Sequence, residues 1–206
     1  MLSYHNDPKI KAKYIKRFEA HRKADEVIQG KGFTPDGKGC FIGCTLNNYD
    51  HEQFEKELGW PVWLAHLADK IFEGIPEDEA PQFGTDLLAA VPVGVDLEPV
   101  KHLIAIKRME RLKLSVPESK EPYYNEVMQA IDDVIAYHRE PHDEAARSAA
   151  RSASESAARS ASESAAWSAA AWSAAWSAAE SAAWRIERDT LLTTIKSLTP
   201  SVHGNT

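Results

Sequence analysis

The sequence predicts a mainly α fold: a small helical globular body with a short β-hairpin or loop near residues 32–47, followed by a long Ala/Ser-rich helix. Three observations predict it. Apolar residues recur every three to four positions through most of the first 140 residues, Gly and Pro punctuate these segments at their ends, and the chain closes on tetrapeptides of the form xSAA.

The first segment, Asn6 to Gln29, reads as a helix. Asp7 caps it, Pro8 suits its first turn, Ile10, Tyr14, Phe18, Ala24 and Ile28 form its apolar side, and Gly30 stops it. Its other side carries Lys9, Lys11, Lys13, Lys16, Arg17, Arg22 and Lys23, the one strongly basic stretch of the chain. In GKGFTPDGKGCFIGCTL, Pro35, Asp36, Gly37 and Gly39 signal a turn, and Phe41 to Leu46 reads as extended. Asp50 with Gln53 is a capping-box pattern, opening a short helix through Phe54 and Leu58 that Gly59 ends. Pro61 opens the next, which sets Trp63, Leu64, Leu67, Ile71 and Phe72 on one face and stops at Gly74. Pro76, Pro81 and Pro92 confine Phe83 to Val91 to one brief helix. Leu97 to Leu114 and Tyr123 to His138 are two further amphipathic segments, the second turning Val127, Ile131, Val134 and Ile135 inward.

Pro141 separates this body, residues 1–140, from the tail: a repeat helix with an amphipathic end over 141–199, then a disordered 200–206. Neither Gly nor Pro occurs between Asp143 and Thr199, so the tail reads as one continuous helix, a rod of about 84 Å. Ala171 resets the period, and Trp172, Trp176 and Trp184 then fall within an arc of about 120°, with Trp167 pointing elsewhere. Four tryptophans on an isolated helix form an apolar patch, and self-association covers it, so Trp167, Trp172, Trp176 and Trp184 are the expected oligomer contacts. The plainer reading makes the repeat a passive spacer built from tandem copies of a four-codon unit.

Composition narrows the function. Lys and Arg total 24 against 31 Asp and Glu, a net charge of -7 that argues against a surface wrapped in nucleic acid. Two cysteines, Cys40 and Cys44, do not make a disulfide framework and fit a reducing compartment. The longest uncharged run, Ser164 to Ala179, is short and Ser-rich, so no membrane partner is expected. The CxxxC spacing matches neither a zinc ribbon nor an iron–sulfur run, and GKGFTPDGKG lacks the order of a phosphate loop, so we assign no metal, no cofactor and no catalytic residue. The two thiols read first as small core residues. An alternative pairs Cys40 or Cys44 with His51 or His66 as base and Asp50 or Asp69 as its orienter, a cysteine-dependent hydrolase built on Cys40 and His51. For a ligand site, Lys13, Arg17 and Lys38 supply charge for an anion and Trp63 a stacking surface.

The opening YHNDPKIKAKYI, the turn GKGCFIGC, the segment LGWPVWLAHLADKIFEG and the xSAA tail together resemble a family of uncharacterised proteins of tailed bacteriophages and prophages. The resemblance spans nearly the whole chain and implies a phage origin rather than a mechanism. With no catalytic signature, the expected role is a non-enzymatic accessory protein that oligomerises through the repeat. It would bind or sequester a host protein or a small anionic signal molecule in the host cytoplasm, in a counter-defence role. A structural or virion-assembly component is the remaining alternative.

Overall fold

The computed structural model of the chain describes residues 1–115, 122–141, 143–145, 147–152 and 173–198. The fold is mostly helical, as the sequence predicts: α1 Pro8–Lys23, α2 Phe41–Leu46, α3 His51–Leu58, α4 Val62–Gly74, α5 Ala80–Ala90, α6 Val100–Ser115, α7 Pro122–Arg139 and α8 Ser173–Lys196. Among the described residues the β structure is limited to isolated bridges, and no helix is long and apolar enough to cross a membrane. The chain divides into two compact units, Met1–Pro99 with Ser177–Thr206, and Val100–Trp176.

The local signals act where their chemistry says they should. Asp7 caps α1 by accepting the Lys9 amide, and Asp50 caps α3 by accepting that of Gln53. Gly59 ends α3 in the left-handed region at φ 66, which glycine adopts without a Cβ penalty. Two expectations need correction. The first helix ends at Lys23, not Gln29, because Asp25 turns left-handed and the backbone of Glu26 and Ile28 goes on to pair with Gly39. Phe41 to Leu46 is not extended but helical. Every side chain of this stretch is buried, so no polar face marks a period in FIGCTL, and the bridging of Gly39 to Val27 and Phe33 stops just before the helix begins.

The core of the first unit is an aromatic chain. Phe41 stands between Phe18 (5.7 Å between ring centroids), Phe54 (5.7 Å) and Phe83 (6.3 Å), joining α1, α2, α3 and α5. Phe54 leads on to Trp60 (5.4 Å) and Trp60 to Tyr4 (5.7 Å). Tyr4, His5 and Asn6 are all left-handed, which is costly without glycine. The Tyr4 hydroxyl offsets that cost by donating to Leu88 O at 2.6 Å, and the neighbouring Ser3 amide by donating to Val95 O at 2.8 Å.

The end of α8 belongs to this unit. Leu191, Thr194 and Ile195 are buried, and Glu79 accepts hydrogen bonds from Arg185 and Arg188, the first of which leads in holding its carboxyl below the usual range. In the second unit α6 and α7 pair through Ile104, Ala130, Ile131 and Ile135, with Lys113 on Asp132 and the Nδ1 atoms of His102 and His138 2.9 Å apart. The described residues 147–152 of the repeat are helical; Trp167, Trp172 and the expected disordered tail lie outside the described residues.

Candidate functional site

Polar groups converge on one side of α4. Asp69 and Glu73 are four residues apart, which puts both carboxylates on one helical face. Against that face lie Cys40, at the cap of α2, and the segment Asn47–His51 that leads into α3. Cys40 is held by its amide, which donates to Lys31 O at 2.8 Å and Gly32 O at 3.1 Å. The preceding loop is tied to the end of α4: the Gly30 amide donates to Glu73 Oε2 at 2.7 Å, and the Gln29 side-chain amide to the carbonyls of Phe72 and Ile75. The Tyr49 hydroxyl donates to Asp69 Oδ2 at 2.9 Å, and His51 Nε2 lies 3.3 Å from the same oxygen. The His51 ring stacks on His66, centroids 3.9 Å apart and 17° from parallel.

This is an acidic corner, with Cys40 and Asp69 buried at its base and Tyr49, His66 and Glu73 exposed. Asp69 is 8% exposed, and its Oδ1 is buried with no hydrogen-bond partner, as is His51 Nε2. Burial, followed by the charge of Asp69, pushes the Cys40 thiol far above its usual range. Burial, then the hydrogen bond to Asp69, raises the Tyr49 hydroxyl to about 12. Burial and the neighbouring His51 hold His66 below the usual histidine value. Glu73 is pushed up by desolvation, with the Asp69 charge adding to it and the Gly30 amide opposing.

Beside this corner opens a groove of about 460 Å³ lined by Asp69, Lys70, Glu73, Gly74 and Trp184. Gly74 makes it: the Trp184 indole lies so close over it that a Cβ there would overlap the ring.

The residues expected to bind an anion are placed differently. Arg17 donates to the carbonyls of Thr45 and Leu46 at the end of α2, 3.1 Å each. Lys13 lies against Tyr14 and 3.7 Å from Glu57, which also accepts the Tyr14 hydroxyl. Lys38 sits in the turn closed by the Thr34 hydroxyl, and Trp63 is half-buried on α4 with its Nε1 enclosed. None of the four lines the groove. Trp184, expected in an oligomer contact, packs on Gly74 of its own chain; Trp176 lies in the first turn of the same helix.

The hydrolase reading named Cys40, His51, His66 and Asp69, and these do gather. Asp50 is spent on its cap, and the Cys44 thiol donates to Gly39 O at 3.2 Å. Cys40 is 1% exposed and faces carboxylates, surroundings that disfavour the thiolate an attack requires. Tyr49, Lys70, Glu73 and Trp184 were not singled out for this site. For Glu73, the i, i+4 relation to Asp69 is the signal that the sequence carries. No protein family, curated protein or solved structure matches the chain.

Proposed function

We propose that the chain is a phage accessory protein of the host cytoplasm that binds a small anionic ligand rather than transforming it, with copies brought together by the xSAA helix. The groove on α4 is the observation that carries this reading: an indole, one lysine and two carboxylates around about 460 Å³ suit a planar, hydroxyl-bearing anion of the nucleotide kind. Trp184 stacks on the ring, Lys70 meets the anion, and Asp69 and Glu73 accept from hydroxyl or amino groups. The phage origin rests on the resemblance of the GKGCFIGC turn and the repeat, and sequestration would be its counter-defence use.

Titrating the full chain with a panel of linear and cyclic nucleotides by calorimetry tests it. At least one member is expected to bind, and Trp184→Ala to weaken it about tenfold or more, as base stacking contributes about 1–3 kcal/mol. Lys70→Ala, at an exposed position, separates loss of the ligand from loosening of α8. A silent panel, or binding indifferent to both changes, overturns the groove reading.

The oligomer is tested on the full chain too, because Leu191 and Ile195 tie the end of α8 into the body and truncation there would open the core. Light scattering is expected to give a multiple of the 22.9 kDa chain mass, reduced by the double change Trp167→Ala and Trp172→Ala. A monomeric full chain removes self-association and leaves the repeat a spacer.

A further inference from the structure

One sulfur and two carboxylate oxygens meet beneath the groove. Cys40, Asp69 and Glu73 each offer a ligand atom, and the three atoms lie within 4.8 Å of one another. Around a tetrahedral zinc ion, with sulfur at about 2.3 Å and oxygen at about 2.0–2.2 Å, neighbouring ligand atoms stand roughly 3.5 Å apart. The set therefore reaches bonding distance by closing at most about 1.3 Å, a side-chain adjustment rather than a refolding.

The cluster is more than a gathering of acids. Each carboxylate spends one oxygen on the protein, Asp69 Oδ2 on the Tyr49 hydroxyl and Glu73 Oε2 on the Gly30 amide, which fixes its plane as the outer shell of a metal site does. The other oxygen of Asp69 is buried and has no hydrogen-bond partner on a residue that is 8% exposed, an arrangement that is costly unless something binds it. His51 Nε2 stands 3.3 Å from Asp69 Oδ2, the oxygen that accepts from Tyr49, and so helps to hold that carboxylate. Asp69 and Glu73 also line the groove, which gives an ion a way in.

We propose that Cys40, Asp69 and Glu73 bind one divalent transition-metal ion of the zinc class. The thiol selects against magnesium and calcium, which take oxygen ligands. On binding, a sulfur–metal bond replaces the Cys40 S–H bond and the proton passes to water. The ion ties the loop before α2 to α4 at the floor of the groove. This goes beyond the nucleotide reading and shares only Asp69 and Glu73 with it.

The test adds cobalt alone, with no organic ligand, to the full chain, so that its failure is distinct from a failure of the groove. One equivalent is expected to give a near-ultraviolet thiolate-to-cobalt charge-transfer band that zinc abolishes. Cys40→Ser should remove the band and Cys44→Ser keep it. Glu73→Gln, at an exposed position and with the carbonyl oxygen of the amide still able to accept from Gly30, should weaken cobalt at least about tenfold. Absence of the band from chain whose helical circular dichroism is intact, a band that follows Cys44 instead of Cys40, or a band and affinity unchanged by Glu73→Gln each overturn the proposal.

Discussion

Phe41→Ala is expected to lower the stability of the chain by about 3–5 kcal/mol, the range for truncating a phenylalanine in a core that cannot collapse around the gap. Phe41 is fully buried, and three other phenylalanines from three different helices reach its ring. A methyl group in its place leaves Phe18, Phe54 and Phe83 facing a void that none fills alone, because Phe18 is wedged over Gly84 and Phe54 is braced against Trp60. Urea unfolding measures the loss as a lower midpoint with an unchanged slope, the mark of a stability change rather than a new denatured state. Leu114→Ala, at a residue 89% exposed, is the control and should stay within about 0.5 kcal/mol. A loss under about 1 kcal/mol for Phe41→Ala would mean that the four helices do not share one core.

The elements that were legible in the sequence are those with a polar side. Asp7, Asp50 and Gly59 mark helix ends by local chemistry, and α4 and α7 show solvent-facing residues between apolar ones, so their starts and inward faces can be read directly. α2 could not be read, because a helix buried on every side leaves no period, and its cysteines looked like neighbours on a strand. The site was half legible for a related reason. Cys40, His51, His66 and Asp69 are residue types that carry chemistry wherever they meet, but Glu73 and Lys70 resemble any charged pair on a helix exterior. Trp184 lies 110 positions from the Gly74 it covers, within a repeat whose tryptophans look alike. On the basic face of α1, Arg17 donates to the carbonyl end of α2, a task its spacing does not reveal.

Gly43→Ala is expected to destabilise the chain by roughly 3 kcal/mol, at the upper end for overpacking, although the same change in an ordinary helix interior is stabilising by about 1 kcal/mol. The sign reverses because Gly43 is the point where α2 touches the loop before it. A Cβ there would meet the Gly32 carbonyl, and this obstacle is backbone, which cannot swing aside as a side chain can. Nor can the loop retreat. The Tyr49 ring lies so close to Gly32 that a Cβ there would overlap it, and the Gly32 carbonyl accepts the Cys40 amide. An added methyl therefore pushes Gly32 toward Tyr49, strains the bond from Tyr49 to Asp69, and shifts Cys40 away from the carboxylates of α4. Thermal melting and cobalt titration of the same variant read the two ends of that chain of contacts. A lower melting temperature together with weakened cobalt would place Gly43 behind the site as its spacer, whereas a raised melting temperature would show that ordinary helix propensity governs α2 and that the three-layer contact of Gly43, Gly32 and Tyr49 does not constrain it.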